Sequence, residues 1–256
     1  MDVTNRFVLD FAVRYARQQC SARVLDFGCG AGRLVQAGRS AGLEMSGADV
    51  YYGGSRTRIE AEQSGLLGSA IREIREGRLE FANGTFDLVV NNQVMEHVED
   101  LDAVLGEIHR VLRPGGTVLS IFPSRDVFRE GHIGIPFAHR LKMGSRFRLI
   151  YTWGLRSLGL GHWKEEAPTC RQWAVDKLAW IDTYTHYRSR REIRAGFDRY
   201  FSNEFRESDY IRYRLLDRPG RRALAWFAGL PGVAPVARAV FRKLAFLVIV
   251  SKKAGG

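Results

Sequence analysis

The sequence predicts a doubly wound α/β domain built on a mostly parallel sheet. Short apolar runs alternate with amphipathic segments over residues 1–123, the connections between them are short, and the first apolar run ends in a glycine-rich turn. Such alternation is typical of right-handed βαβ units. Composition agrees, because the 256 residues are 45% hydrophobic and 26% charged, as in ordinary globular domains.

Apolar spacing locates the elements of this first part. Positions that recur at helical spacing indicate helices, and short continuous apolar runs indicate buried parallel strands. The best-defined helix has acidic residues in its first turn and Arg110 and Arg113 in its last, which complements the helix dipole. We predict helices over residues 4–19, 33–41, 55–77 and 101–113, and strands over 23–27, 43–50, 86–90 and 117–122.

Beyond Pro123 the alternation stops. Residues 124–190 are rich in Arg, Trp, Tyr and Gly and have the character of a helical cap inserted after the fifth strand. A helix over 190–201, an edge strand or loop over 202–214 and a last strand over 244–250 follow. Because no flexible linker interrupts the chain, we predict one domain with a cap. Its parts are a core over 1–123, the cap over 124–190 and a C-terminal part of the core over 191–256.

Charge is distributed unevenly along the chain. Residues 1–124 carry 13 Arg and 16 acidic residues, a balance of −3, whereas residues 125–256 carry 26 basic and 12 acidic residues, a balance of +14. The asymmetry indicates either an anionic partner for the second half or a set of solvated, arginine-rich helix faces.

Several other classes of protein are excluded by composition. The three cysteines are sparse and show no CxxC spacing, which argues against a disulfide framework and a structural zinc site. The N-terminus is acidic where a signal peptide is basic, and the longest late apolar run is too short to span a bilayer. We therefore expect a cytoplasmic protein.

A glycine-rich turn carries the clearest functional signal. Gly28, Gly30 and Gly32 follow a strand that contains Asp26, and Asp49 ends the next strand. Glycines let the backbone approach a ligand closely beside a helix N-terminus, and a carboxylate at the next strand end can accept both hydroxyls of a ribose. The third glycine of a dinucleotide motif is absent. An acid at the head of the turn repels pyrophosphate but suits a ligand that carries an ammonium and a sulfonium.

Four motifs in order extend this signal: VLDFGCGAG, GADV, FDLVVNNQVMEHVED and VLRPGGTVLSIFP, which together span residues 23–123. The sequence resembles the class I S-adenosylmethionine-dependent methyltransferases, and within them the bacterial small-molecule group of type 11. The resemblance implies a seven-stranded Rossmann-like methyltransferase sheet with an antiparallel last strand, S-adenosylmethionine as cofactor, and methyl transfer as the activity.

The same resemblance implies the cofactor contacts. The glycines would line the methionine portion, and Asp26 would orient their turn. Asp49 would hold the ribose, Val50 would pack against the adenine, and Asn92 would contact the methionine end largely through its backbone. The acidic residue with which many relatives hold the adenine amino group has no secure match here. Residues 78–81 occupy that region, and Asn83 lies on the loop where relatives often carry Asp. The predicted cofactor-binding residues are Asp26, Gly28, Cys29, Gly30, Gly32, Asp49, Val50 and Asn92.

Glu96 and His97 come just past the methionine end, where an acceptor must approach. Methyl transfer is an in-line displacement at a sulfonium carbon, so alignment supplies much of the rate. A base is needed only for an acceptor whose proton has a high pKa, and His97 is the natural candidate. Alternatively, the two residues hold the loop and cap the helix that begins near Asp100.

Residues after the fifth strand are the second catalytic candidates. Glu130, His132 and His139 would face the acceptor if this insertion supplies substrate contacts, as it often does in this fold. The alternative is a structural turn anchored by Pro136 and Phe137. The histidines show no ligand spacing with other residues, so we predict no metal site.

The acceptor is predicted to be a small molecule or a glycan-linked or lipid-linked group. One alternative is an RNA methyltransferase, motivated by the basic second half and by the aromatic-basic stretch 184–191. The Asn/Asp-Pro-Pro-aromatic tetrad of many base-methylating relatives is missing after strand four, which makes nucleic acid the less favoured partner. A non-catalytic regulatory subunit is a further alternative, disfavoured by the complete glycine motif.

Residues 221–243 mix apolar and basic side chains, including Trp226 and Phe227. One interpretation is peripheral contact with the inner face of a membrane, which needs apolar anchors and a basic rim. The other is that these apolar side chains cover the sheet beside the last strand.

Overall fold

A seven-stranded sheet runs through the centre of the chain. The structure is a computed structural model that describes residues 1–51 and 55–255. Its strand order is β3-β2-β1-β4-β5-β7-β6, and β7 runs antiparallel to both neighbours while β1 to β5 are parallel. The strands are β1 (Arg23–Phe27), β2 (Glu44–Asp49), β3 (Ile71–Glu73), β4 (Phe86–Asn92), β5 (Leu112–Phe122), β6 (Ser202–Phe205) and β7 (Leu247–Lys252).

Helices cover both faces of this sheet and build the insertion. Together with the strand order they confirm the predicted doubly wound α/β fold. The helices are α1 (Val3–Gln18), α2 (Arg33–Ser40), α3 (Arg56–Gln63), α4 (Leu101–Val111), α5 (Arg146–Ser157), α6 (Cys170–Tyr184), α7 (Arg190–Phe197), α8 (Glu207–Leu216), α9 (Arg222–Ala228) and α10 (Ala234–Leu244).

Alternating side chains of the central strands supply two apolar layers. On β4, Val89 joins a cluster with α4 and α7, while Leu88 and Val90 join a cluster with α1 and α8. Because both layers are buried, apolar residues follow one another along β4, as expected of an interior parallel strand. Because β1 lies between β2 and β4, the turns after these three strands meet at one edge, where an open α/β sheet binds its ligand.

Four sequence predictions of local structure were wrong. The helix predicted over residues 101–113 ends at Val111, because Leu112 pairs with Phe86 and already begins β5. Residues 55–77 are not mainly helical, because α3 ends at Gln63 and β3 follows within the same segment. A three-residue strand is too short for its side-chain period to show. Residues 202–214 contain β6 and then α8, not an edge strand alone. The last strand begins at Leu247 instead of residue 244, because α10 continues to Leu244.

The segment after β5 contains the helices that the cap prediction expected. α5 and α6 pack together over a small apolar cluster that includes the fully buried Trp173. Arg148 is buried there and donates to the Asp182 carboxylate at 2.5 Å and to the carbonyl of Ala138 at 2.7 Å. The boundaries proposed for the three parts of the domain stay a prediction.

The basic-apolar segment forms the two short helices α9 and α10. Trp226 is 70% exposed and Val236 61% exposed, whereas Phe241 is half-buried against Tyr210 and Phe246. Most of the segment's large apolar side chains therefore do not cover the sheet. Nowhere in the described residues is there a helix with the length and hydropathy needed to cross a membrane.

Candidate active site

The glycine turn joins the ends of β1 and β2. Gly28 and Cys29 both donate their backbone N–H to the carbonyl of Ala48, at 2.7 and 3.2 Å. Gly30 donates to the Asp49 carboxylate at 2.6 Å. Gly28, Gly30 and Gly32 all have positive φ, a conformation that side chains with a Cβ disfavour. The turn is therefore shaped by its glycines and tied to the carboxylate of the next strand.

Two acidic side chains lie at this turn, the buried Asp26 and the half-buried Asp49. Burial and the nearby charge of Asp49 raise the pKa of Asp26 to about 7. Burial also raises the pKa of Asp49, although backbone hydrogen bonds from Gly30 and Val50 oppose this shift. Both carboxyls lack a cationic partner among the described residues. The pair therefore favours a positively charged ligand at this edge.

Glu96, which follows β4, is also buried and unpaired. Its side chain is 1% exposed, and neither carboxylate oxygen has a hydrogen-bond partner among the described residues. Burial raises the pKa of Glu96 to about 7. The residue's own backbone N–H and the charge of His132 oppose this shift, while the charge of Glu130 adds to it. An unpartnered carboxyl in such a position is uncommon, because burying it without hydrogen bonds is unfavourable.

His97 is oriented by the backbone at the end of α6. Its Nδ1 lies 2.6 Å from the carbonyl oxygen of Tyr184. A carbonyl oxygen only accepts, so Nδ1 carries the proton and the Nε2 lone pair remains available. Burial lowers the pKa of His97, which keeps the ring neutral near pH 7.

His132 is oriented by a buried carboxylate. Its Nδ1 lies 2.7 Å from Oε1 of Glu130, which also accepts the Tyr187 hydroxyl at 2.6 Å, while Oε2 accepts the Ile133 N–H at 2.6 Å. Burial alone raises the pKa of Glu130, but these three donors outweigh it and lower the pKa to about 2. The Glu130 carboxylate in turn outweighs burial at His132 and raises the pKa of that ring.

The fold brings three of the predicted catalytic residues together. The ring centroids of His97 and His132 lie 5.0 Å apart, and a donor atom from each of Glu96, His97 and His132 lies within 4.8 Å of the others. The half-exposed indole of Trp180 flanks both rings, with its centroid 5.1 Å from that of His132.

His139 is not part of this cluster. Its Nε2 contacts the carbonyl of Arg125, and its ring packs against Tyr187. The sequence prediction missed Tyr187 and Trp180 as members of the site. No local pattern marks them, because they lie in the insertion and reach the site only through the packing of α6 and the chain after it.

The loop-holding alternative accounts for little of the side-chain geometry. Asp100 caps α4 with its own carboxylate, which accepts the Ala103 N–H at 2.9 Å. The Glu96 side chain caps nothing, although its backbone carbonyl accepts the His186 N–H at 2.6 Å. The loop is therefore held by backbone groups and by His97 Nδ1, which leaves the Glu96 carboxyl and His97 Nε2 available to a ligand.

Comparison with known families decides the identity of the domain. The methyltransferase domain family matches residues 4–200. The chain belongs to this family. The match confirms the predicted S-adenosylmethionine-dependent methyltransferase, with S-adenosylmethionine as its cofactor. A crystal structure of an S-adenosylmethionine-dependent methyltransferase from Mesorhizobium loti superposes with a TM-score of 0.54 at 17% identity, over 96% of this chain and 100% of that chain, and shows the same fold.

Curated relatives of this methyltransferase are similar over shorter lengths. A ubiquinone biosynthesis O-methyltransferase from Mesorhizobium japonicum is 37% identical over 107 residues, which is 40% of this chain and 41% of that protein. One of the same name from Ruegeria pomeroyi is 42% identical over 95 residues, 37% of this chain and 38% of that protein. The alignments thus span about two fifths of these relatives.

The turn of this methyltransferase fits its cofactor. Asp49 lies at the edge where a ribose would bind, and the adjacent Val50 is 45% exposed and free to pack on a base. The Asn92 side chain donates to Asn5, but its own buried Oδ1 has no hydrogen-bond partner among the described residues. An ammonium group at the methionine end would satisfy that oxygen. The individual roles of these residues stay predictions.

The predicted cofactor residue Cys29 differs from the glycines beside it. The Cys29 side chain turns inward, and its Sγ would lie 2.7 Å from a Cβ at Gly47. Cys29 therefore contributes to the turn through its backbone. Asn83 lies away from the turn and accepts from Arg110 at 2.8 Å, which holds the loop before β4.

Proposed function

We propose that this methyltransferase transfers the methyl group of S-adenosylmethionine to an oxygen of a small or lipid-linked acceptor. The observation that carries the proposal is the cluster of Glu96, His97 and His132, which brings two imidazole rings beside a buried carboxyl. The relatives named as ubiquinone biosynthesis O-methyltransferases support an oxygen acceptor. A glycan-linked acceptor fits the same chemistry.

The residues of the chain provide binding, orientation and proton transfer. S-adenosylmethionine supplies an electrophilic methyl group on a sulfonium. The glycine turn and Asp49 hold it at the edge of the sheet, and the cluster receives the acceptor hydroxyl. In the simplest form, His97 accepts the hydroxyl proton at Nε2 while its Nδ1–H donates to the Tyr184 carbonyl, which stabilises the imidazolium that forms.

Labelling tests the acceptor class. The purified full-length protein is incubated with methyl-labelled S-adenosylmethionine and cell extract, which is then separated into lipid, small-molecule, RNA and protein fractions. We expect label in the lipid or small-molecule fraction as an alkali-stable methyl ether. Label confined to RNA or protein, or no label above a heat-inactivated control, contradicts the proposal.

A substitution at His97 tests the proton-transfer role. His97→Asn should lower turnover by ~10²-fold while cofactor affinity stays nearly unchanged, because the ring acts on the acceptor and not on the donor. His109→Asn is the matched control, because His109 lies on α4 and packs against Tyr200 and Phe201 instead of joining the cluster. Equal loss of cofactor binding and turnover would indicate that His97 only holds the loop.

A lipid-linked acceptor is supported by the surface formed by α9 and α10, hereafter the α9–α10 surface. Leu224, Trp226, Phe227, Val236 and Val240 on it are exposed. Arg221, Arg222, Arg238 and Lys243 accompany them, while Arg242 pairs with the buried Glu207. Indole and phenyl anchors with four surrounding cations suit an anionic membrane, so we propose peripheral membrane contact here.

The RNA alternative is less well supported, because two residues of its local motif make internal contacts. Of the stretch 184–191, Tyr187 donates to the buried Glu130, and Arg188 donates to the carbonyls of Val98 and His186. These side chains are used to join the insertion to the core, so they are not presented as a stacking platform for bases.

A further inference from the structure

Three metal-ligating side chains converge beside the predicted methionine end of the cofactor. Glu96, His97 and His132 each bring one donor atom to within 4.8 Å of the other two. Bonds of about 2.1 Å at tetrahedral angles would hold donors roughly 3.4 Å apart, so rotations that move each donor by about an ångström complete the set. Two imidazoles and one carboxylate are ligands that first-row divalent metals accept.

Each histidine is already held as a metal-bound histidine is held. In metal sites the ring nitrogen opposite the metal donates to a carboxylate or a backbone carbonyl, which fixes the tautomer and ring orientation. Nδ1 of His132 donates to Glu130, and Nδ1 of His97 donates to the Tyr184 carbonyl. Nε2 is therefore the nitrogen through which each ring would bind a cation.

The carboxylate supplies an independent observation. Glu96 is 1% exposed and both of its oxygens lack hydrogen-bond partners among the described residues. A general-base mechanism at His97 gives this side chain no function. A bound cation would satisfy its oxygens and compensate for the burial of the carboxylate.

We propose that Glu96, His97 and His132 bind one divalent first-row metal ion, with Zn²⁺ as the reference ion. The inference rests on the proposed function and deepens it. Three protein ligands leave one position open, which is the arrangement of catalytic rather than structural metal sites. The acceptor hydroxyl would occupy that position, next to the methyl donor.

The metal would replace His97 as the means of activating the acceptor. It withdraws electron density from the hydroxyl, which then releases its proton to solvent at a lower pH. The oxygen attacks the methyl carbon, the O–C bond forms as the C–S bond breaks, and the sulfur keeps the bonding pair as a neutral thioether. His97 remains a ligand throughout.

Calorimetry with the metal alone tests the site. Full-length protein carrying Cys20→Ser, which removes an exposed thiol that would also bind zinc, is freed of metal with a chelator and titrated with Zn²⁺. We expect one equivalent to bind with micromolar or tighter affinity. Glu96→Gln and His132→Asn should each weaken it at least ~10-fold, whereas His109→Asn should leave it unchanged. Unaltered S-adenosylmethionine affinity in each variant shows that it has folded.

An absorption spectrum of the Co²⁺-loaded protein, with all three ligands present, tests the site even if a variant fails to fold. Co²⁺ should give d–d absorption without the thiolate charge-transfer bands of a cysteine site. Absence of stoichiometric Zn²⁺ binding, or equal Zn²⁺ affinity in His132→Asn and its parent, would overturn the proposal.

The two proposals fail separately. If no metal binds but His97→Asn still lowers methyl transfer, the metal proposal falls and methyl transfer with His97 as base stands. If Zn²⁺ binds at these ligands but no acceptor fraction is ever labelled, the metal site stands and the proposed function falls.

Discussion

At the scale of single residues, the ends of β1 and β2 hold two acids that folding alone disfavours. Asp26 is 4% exposed, and burial together with Asp49 raises its pKa to about 7. Groups kept at such unfavourable sites are frequent where a ligand binds, because the ligand compensates for their burial. A cationic ligand such as S-adenosylmethionine would explain why two carboxyls are tolerated side by side.

Asp26 makes a pH-dependent contribution to stability. The folded chain holds the Asp26 proton up to a pH of about 7, whereas an unfolded chain loses it near the ordinary value of 3.8. Between these values the folded state binds more protons, so its stability falls as pH rises through this window. Asp26→Asn lacks this loss. The free energy of unfolding of the variant should exceed that of the parent by on the order of 2–4 kcal/mol at pH 8, and the two should be equal near pH 4.

Urea unfolding of the cofactor-free protein at several pH values measures this difference. Glu44→Gln, at the exposed opposite end of β2, is the control and should show no such trend. A difference between Asp26→Asn and its parent that stays constant from pH 4 to pH 8 would contradict the assignment.

Asp49 is expected to act on the cofactor. Asp49→Ala should weaken S-adenosylmethionine binding by ~1.5–3 kcal/mol, the scale of charge-assisted hydrogen bonds. Asp49→Asn should lose less of the S-adenosylmethionine affinity, because its amide oxygen can still accept the Gly30 N–H. Calorimetry with S-adenosylmethionine measures both, and Glu44→Gln again serves as the control. Unchanged affinity in a folded Asp49→Ala protein would remove the residue from the site.

At the scale of elements, the turn between β1 and α2 is shaped by what packs on it. A Cβ at Gly28 would lie 2.3 Å from Cγ2 of Val94, on the loop after β4, whereas a Cβ at Gly30 meets nothing nearer than 3.8 Å. Both glycines have positive φ, so both substitutions introduce backbone strain. Only the first also forces two elements apart.

Gly28→Ala should therefore destabilise the protein more than Gly30→Ala does. We expect ~1 kcal/mol for Gly30→Ala and roughly 2–4 kcal/mol for Gly28→Ala, where overpacking adds to strain. Chemical denaturation without cofactor isolates the effect on folding. Equal losses in the two variants would show that the contact with Val94 relaxes freely.

At the scale of the whole molecule, the charge asymmetry has a partial structural account. Some basic residues of the second half are used internally, as Arg148 is with Asp182 and Arg242 with Glu207. Others alternate along α9 and α10 with exposed apolar side chains. Basic residues of the second half therefore stabilise the insertion and the C-terminal helices from within, while others stay exposed on α9 and α10.

Vesicle flotation tests that surface. The protein should bind vesicles that contain anionic phospholipid, and binding should fade with added salt, since each cation near the bilayer contributes ~1 kcal/mol. A Trp226→Ser and Phe227→Ser double variant should bind much less. Ile59→Ser is the control, because Ile59 is 47% exposed on α3, away from α9 and α10. Absence of binding at low salt would exclude the membrane contact.

The sequence by itself determined the parallel core and the glycine turn of this methyltransferase. Their signals are local. Apolar periodicity depends on the burial of neighbouring residues, and closely spaced glycines indicate the backbone conformation of the turn. β1 accordingly has the predicted bounds, and α2 and β4 nearly so. β3 escaped prediction because three residues carry almost no period, and α8 because its apolar pattern is weak.

Only the tertiary structure decided the composition of the candidate active site. His97 and His132 are 35 positions apart, and Glu130 meets Tyr187 across 57. Their meeting depends on how the insertion packs over the end of β4, which no local pattern records. The exposure of α9 and α10 was undecided for the same reason, since an amphipathic pattern shows that a face is apolar but not what covers it.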